Sequence, residues 1–264
     1  MSLRNEARER LQRGEVSIGV GVRTARTVDV AKMMKTCGFD WLFIDLEHGT
    51  MSLEFATTIA VAALDTCIAP IVRVPFMQHS MATRALDGGA LGIVMPHVDT
   101  PEQAREIVDH LKYPPVGHRS VSGSQAAFDF RSVPIAELIE SANAATLVIV
   151  MLETPTAIAN AEAIAAVPGV DVLLVGTNDL AAEMGIPGQF GHDRIAGAYE
   201  AVIAACRKQN KWPGMAGVYS EDLLQRYIPM GMRLVMAGND TGFLMAAGAS
   251  RTALVRKSAG AAGS

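Results

Sequence analysis

Phe39-Asp40-Trp41-Leu42-Phe43-Ile44-Asp45-Leu46-Glu47-His48-Gly49 reads as a buried strand, Trp41 to Ile44, that runs straight into three ionisable residues and a glycine. An apolar run ending in Asp, Glu and His is costly unless water, a metal or a substrate satisfies those groups at the mouth of a site. His48 is therefore expected to do chemistry.

The same unit recurs on either side of this stretch. Toward the N-terminus lie a polar helix ending near Arg13, a strand from Ser17 to Val22, and a helical pattern from Val28 to Cys37 closed by Gly38. Downstream, Leu53, Ala56, Ile59, Ala60, Ala63 and Leu64 share one helical face, and Pro70 opens a strand, Ile71-Val72, that ends in Arg73. A helix from His79 to Leu86, a strand from Gly92 to Met95 and a helix from Pro101 to Leu111 with Thr100 as its N-cap follow. Tyr113 to Arg131 is irregular, and a helix from Pro134 to about Asn143 restores the alternation. Then come a strand from Thr146 to Leu152 ending at Glu153, a helix to Val167, and a strand from Val170 to Val175 ending in Gly176-Thr177-Asn178-Asp179. A helix from Asp193 to Gln209, a strand around Met215, a helix from Glu221 to Pro229, the strand Leu234-Val235-Met236 and a final helix after Asn239 complete the pattern.

Eight strands, each followed by a helix, in 264 residues predict a single α/β domain, a (β/α)8 barrel, for which ~250 residues is usual. Its core is expected over about 14–256, with mobile ends. A doubly wound open sheet is the alternative, but no Gly-x-Gly-x-x-Gly turn follows the first strand and no Gly-x-x-x-x-Gly-Lys-Ser/Thr occurs.

Composition narrows the function. A net charge of −4 leaves no footprint for nucleic acid or an anionic membrane surface, and no apolar run reaches the length of a membrane span. The first residues lack the apolar core of a signal peptide, so a cytoplasmic protein is expected. Cys37, Cys67 and Cys206 are widely spaced and read as buried thiols; His79, His110 and His192 read as surface histidines.

In a (β/α)8 barrel, catalytic groups sit at the C-terminal ends of strands. The pattern places there Asp45, Glu47 and His48, then Arg73, His97, Glu153 and Asp179, while the strand interiors carry no charge. Glu153 and Asp179 fall on neighbouring strand ends, where two carboxylates can converge on one cation. With no Cys or His at ligand spacing beside them, Mg²⁺ or Mn²⁺ is expected, with Co²⁺ a third candidate. The competing reading makes each carboxylate a cap for the helix that follows it. Arg73 suits an anion or a developing oxyanion, the competing reading being a barrel-end salt bridge. The Gly176-Thr177-Asn178-Asp179-Leu180 turn opens a short helix whose free N–H groups could cradle a carboxylate. Lys32, Lys35, Lys112, Lys208, Lys211 and Lys257 all fall on helices or connections, which disfavours an imine mechanism and favours a metal-dependent enolate.

With these residues assembled, the sequence resembles the HpcH/HpaI family of class II pyruvate-dependent aldolases, which includes 4-hydroxy-2-oxoheptanedioate and 2-dehydro-3-deoxyglucarate aldolases. The likeness runs from about Gly14 to Arg256 and is carried by Gly38 to His48, Val72-Arg73-Val74-Pro75, Tyr113-Pro114-Pro115-Val116-Gly117-His118-Arg119, Glu153-Thr154 and Gly176 to Leu180. The resemblance implies reversible cleavage of a 4-hydroxy-2-oxo acid to pyruvate and an aldehyde through an enolate on a metal held by Glu153 and Asp179. It further implies a carboxylate cradle at Asn178 and Asp179, and Arg73 on the enolate oxygen. His48 becomes the general acid/base, oriented by Asp45 or by Asp87, the latter reaching across from a neighbouring subunit. A hexamer built as a trimer of dimers is implied too, with the helix from Asn239 to Arg256 swapped onto a partner barrel.

The chain departs from the family at Met151, where relatives commonly carry Gln beneath the pyruvate, and at His97, where many have an apolar or small residue. His97 is read either as a contact for the acceptor aldehyde or as a hydrogen-bonded rim residue. The loop from Ser120 to Phe130 is a further candidate acceptor contact. Two other functions compete: a citrate-lyase-β-like lyase acting on a CoA thioester, and a barrel without chemistry that serves as an oligomeric binding protein.

Overall fold

A computed structural model describes residues 3–261. Eight parallel strands close into a barrel in chain order. They are β1 (Ser17–Val22), β2 (Trp41–Asp45), β3 (Ala69–Arg73), β4 (Gly92–Met95), β5 (Leu147–Leu152), β6 (Val172–Gly176), β7 (Trp212–Ala216) and β8 (Leu234–Asn239). Around them run α1 (Glu6–Gln12), α2 (Asp29–Thr36), α3 (Leu53–Asp65), α4 (His79–Asp87), α5 (Pro101–Leu111), α6 (Ile135–Ala145), α7 (Pro155–Ala159), α8 (Ala161–Ala165), α9 (Thr177–Glu183), α10 (Asp193–Gln209), α11 (Glu221–Met230) and α12 (Asp240–Ala261).

Strand alternation divides the core in two. In β2, Trp41 and Phe43 point into the barrel with Ile71, Leu147, Ile149, Val172 and Leu174, while Leu42 and Ile44 pack outward against the helices. Trp41 fills the interior because Gly19 stands beside it, where an added Cβ would come within 2.1 Å of the indole. The floor is closed by α1, whose Ala7 and Leu11 are buried, so the packed core begins before the expected residue 14. The ends beyond it, 1–2 and 262–264, lie outside the described residues.

The β2–β3 register sets Asp45 directly beside Arg73, which brings both polar strand ends to one mouth. At the other side of that mouth, Asp240 opens α12 and accepts N–H bonds from Arg23, Thr24 and Ala25, tying down the loop after β1. Beyond this anchor α12 is exposed from 241 to 260, including Leu244, Met245, Leu254 and Val255.

Two sequence expectations are corrected. Of the cysteines only Cys206 is buried; Cys37 caps the end of α2 and Cys67 sits in a left-handed turn (φ 54°), and both face solvent. His79 is not a free surface residue: its ring, 13% exposed, stacks on His110 at 4.1 Å and bonds Glu106 at 3.1 Å. No helix among the described residues is long and apolar enough to cross a membrane.

Candidate active site

The polar strand ends surround a cavity of about 200 Å³ lined by Arg23, Phe43, His48, Arg73, Met151, the 176–179 turn, Ala216, Gly217, Tyr219 and Met236. No lysine lines it. Lys112 is the buried lysine, and it donates to the backbone carbonyls of Asn143 and Thr146, before β5, at the far end of the barrel.

Asp45, fully buried at the end of β2, is saturated with donors. Arg73 grips it with two bonds, Nε to Oδ1 at 2.9 Å and Nη2 to Oδ2 at 2.6 Å, and Arg23 Nε adds a third at 3.1 Å. The backbone N–H groups of Glu47 and His48 donate to Oδ1. Burial alone would push this carboxyl up, but the Arg73 guanidinium and these N–H groups hold it below its usual range. Asp45 therefore positions the backbone of His48, and among the described residues no hydrogen bond joins it to the imidazole. Arg73 is completed by Glu47 Oε2 at 2.9 Å from Nη1 and by the Phe43 ring beneath it.

Glu153 is different. It is 1% exposed, its Oε2 accepts the His97 backbone N–H at 2.8 Å, and its Oε1 is buried with no partner among the described residues. Burial, opposed in part by His97 and reinforced by the charges of Asp179 and Glu47, raises its pKa to about 7. Gly176 lets the carboxylate lie there, since a Cβ at that position would stand 2.6 Å from Oε1 and 2.9 Å from Met151 Cε. The helix-cap alternative fails here, because Thr154 caps α7 by accepting from Ala157 N–H at 3.0 Å. An orphaned oxygen and a second acid, Asp179, whose charge acts on it, together fit a hard divalent cation.

His97 adopts a left-handed φ of 55°, which turns its ring back between Glu153 (Nδ1 to Oε2, 3.0 Å) and Glu47 (Nε2 to Oε1, 3.3 Å). It is not among the residues lining the cavity. His48 is, and it is exposed on the loop after β2 with no side-chain partner among the described residues. Asn178 and Asp179 stand in the first turn of α9, beside Gly217, whose missing Cβ leaves room for the Asn178 amide. Met151 is buried in the cavity floor.

Asp87 is not brought to this mouth within one chain. It ends α4 at the opposite end of the barrel and pairs with Arg119, 2.6 Å away, which lies over the Tyr113 ring. Arg23, missing from the sequence expectations, follows the last residue of β1, so the strand-end pattern that marks Arg73 marks it as well. Another set of metal-capable side chains, His79, Glu106 and His110, lies on the outer faces of α4 and α5, away from the barrel interior.

Residues 23–247 match the HpcH/HpaI aldolase/citrate lyase family. The chain is 42% identical over 248 residues, 92% of each sequence, to a 4-hydroxy-4-methyl-2-oxoglutarate aldolase of Chaetomium globosum. It is 33% identical to a 2-keto-3-deoxy-L-rhamnonate aldolase of Escherichia coli, over 90% of this chain and 88% of the relative. The crystal structure of an HpcH/HpaI aldolase from Desulfitobacterium hafniense superposes with a TM-score of 0.89 at 26% identity, covering 94% of this chain and 96% of that one.

Proposed function

This chain belongs to the HpcH/HpaI aldolase/citrate lyase family, and from that premise we propose that its barrel mouth breaks the C3–C4 bond of a 4-hydroxy-2-oxo acid, releasing pyruvate and a carbonyl acceptor. The enzyme is an aldolase, a carbon–carbon lyase of a family whose aldolases depend on a divalent metal. The observation that carries the assignment to this site is Glu153, buried, half-satisfied and beside Asp179.

Glu153 and Asp179 would hold the ion, Mg²⁺ or Mn²⁺ by their all-oxygen chemistry, with Co²⁺ the third candidate. A divalent cation bound there supplies the positive charge that lets a keto group accept the electrons of the broken bond. The first-turn N–H groups at Asn178 and Asp179, which have no intrahelical acceptor, bind the pyruvate carboxylate. Arg73, pinned by Asp45 and Glu47, presents a fixed cation where charge develops on the keto oxygen. His48 takes the C4-hydroxyl proton on cleavage and returns it on synthesis, work suited to an imidazole near neutral pH. Phe43, Met151, Ala216 and Met236 form an apolar floor that keeps water from the carbanion. We assign His97 to holding Glu153 and Glu47 in place rather than to contacting the acceptor.

The exposed apolar residues of α12 support a trimer of dimers in which this helix packs on a partner barrel. In such a hexamer the partner subunit's Asp87 would approach His48. The acceptor stays open at this level: by their names, one relative's substrate carries a second carboxylate at its distal end and the other's does not.

The test is exchange of pyruvate methyl protons in D₂O, followed by NMR with and without Mg²⁺ or Mn²⁺, on the native enzyme and on Glu153→Ala. Exchange that needs both the metal and Glu153 is expected; exchange that persists without metal overturns the mechanism.

A further inference from the structure

Away from the barrel mouth, the outer faces of α4 and α5 bring together His79, Glu106 and His110, with one potential ligand atom from each lying within 4.8 Å of the others. Glu106 and His110 stand at positions i and i+4 of α5, which puts them on one face of that helix, and His79 opens the neighbouring α4. The two imidazole rings stack at 4.1 Å, and His79 Nε2 meets Glu106 Oε1 at 3.1 Å. A hydrogen-bonded stack can serve packing alone, but here its polar atoms are left incomplete in a way that packing does not require.

His110 Nδ1 lies 2.9 Å from the Glu106 backbone carbonyl, which can only accept. In the neutral ring the proton is therefore on Nδ1, and Nε2 keeps its lone pair, the arrangement found in histidines that bind metal. His79 Nδ1 is buried with no partner among the described residues, so hydrogen bonding leaves one nitrogen of that ring unanswered. Burial and the neighbouring His110 lower the His79 pKa against the pull of Glu106, which favours the neutral ring that can ligate. Glu106 has no lysine or arginine partner among the described residues, the adjacent Arg105 being paired with Glu102.

We propose that His79, Glu106 and His110 form a second metal site, for Zn²⁺ or a similar borderline divalent ion, that staples α4 to α5. The ion takes a carboxylate oxygen of Glu106, Nε2 of His110 and one ring nitrogen of His79, with water in the fourth position. Parallel rings must open for both nitrogens to face one ion, and His110, exposed on its helix, has room to tilt. Ligand chemistry separates this site from the mouth: two imidazoles and one carboxylate favour Zn²⁺ over Mg²⁺, whereas Glu153 and Asp179 offer oxygen alone. His79 ends the connection that leaves β3 after Arg73, so the staple fixes where that connection ends. The two sites share no residue, and the two assignments fail separately.

The test is calorimetric titration of Zn²⁺ into the full chain holding excess Mg²⁺, and into Glu153→Ala, His110→Ala and Glu106→Gln. Zn²⁺ is expected to bind the native protein and Glu153→Ala alike, and to bind roughly 100-fold more weakly in His110→Ala and Glu106→Gln, since even loss of a group that merely supports a ligand costs about 10–100-fold. Zn²⁺ is also expected to raise the native Tm by several degrees and to leave that of His110→Ala unmoved. Co²⁺ used in its place should show the strong visible absorption of a four-coordinate ion without a thiolate charge-transfer band, which separates this site from the exposed Cys37 and Cys67. No binding to the native protein, equal binding in His110→Ala, or a thiolate band from the bound Co²⁺ overturns the site. Pyruvate methyl exchange with Mg²⁺ is expected to be unchanged in His110→Ala, which verifies that the variant folds. Native protein that binds Zn²⁺ here but exchanges no pyruvate protons keeps this site and sinks the aldolase assignment instead.

Discussion

Asp45 and Glu153 face the same barrel mouth from strands β2 and β5, both almost wholly buried, and they are opposites. Asp45 accepts from two arginines and two backbone N–H groups, and its carboxyl is held below the ordinary range. Glu153 keeps one oxygen without a partner, and its carboxyl is pushed up to about 7. Burial is equal, so the difference is hydrogen bonding and neighbouring charge. A saturated carboxylate organises the protein around it; an unsaturated one behind a cavity lined by its neighbours Met151, Gly176 and Asp179 is kept ready for something that arrives from outside.

The largest effect should come from Glu153→Gln, which keeps the shape and removes the charge. Mn²⁺ affinity by calorimetry is expected to fall, and cleavage to drop roughly 10⁴-fold, as loss of an electrophile worth several kcal/mol requires. The contrast collapses if Asp45→Asn weakens Mn²⁺ binding as much. His48→Ala is expected to cost about 10³-fold in cleavage while Mn²⁺ affinity holds, separating proton transfer from the ion's site. A His48 variant that cleaves at the native rate would remove it from the mechanism.

For Asp45 the expected loss is mainly in stability. Asp45→Asn leaves Arg73 with Glu47 alone, and breaking a buried pair costs about 3 kcal/mol, read as a lower urea midpoint at pH 7. The pH dependence has a definite sign. The folded pKa lies below the ordinary 3.8, so the pair's stabilisation is complete above 3.8 and fades as pH falls through the folded value. The gap between native and Asp45→Asn midpoints should be constant from neutral pH down to that point and then close. A gap that stays open in acid would mean that the carboxylate's charge does not account for it.

How much of this contrast can be read from sequence follows the same division. Alternating apolar runs and helical stripes specify the barrel, because the strands are largely buried on both faces and five successive ones, β2 to β6, lead into polar groups. The proposed pairing of Glu153 with Asp179 follows from adjacent strand ends. What sequence does not carry is who satisfies whom. The β2–β3 register that joins Arg73 to Asp45, the left-handed turn that folds His97 onto Glu153, and the tether from Asp240 to the loop of Arg23 and Arg26 all cross long sequence separations. Asp87 is the limiting case: within one chain it pairs with Arg119 away from the mouth, and a place in the site would require a neighbouring subunit.

The smallest effect, and the sharpest test of the unsatisfied oxygen, is Met151→Gln. Met151 Cε and Glu153 Oε1 both approach the space that Gly176 leaves empty, so a glutamine amide there could donate to the orphaned Oε1. That bond is worth about 1 kcal/mol, which corresponds to roughly a fivefold change in KM for pyruvate or in Mn²⁺ affinity. Stability should move by less than about 1 kcal/mol, the gain of the bond offsetting the burial of a polar side chain. If Met151→Gln instead abolished Mn²⁺ binding as Glu153→Gln is expected to, a single neutral donor would have been enough to close the site. The readiness of Glu153 would then depend on the apolar floor beneath it rather than on its own charge.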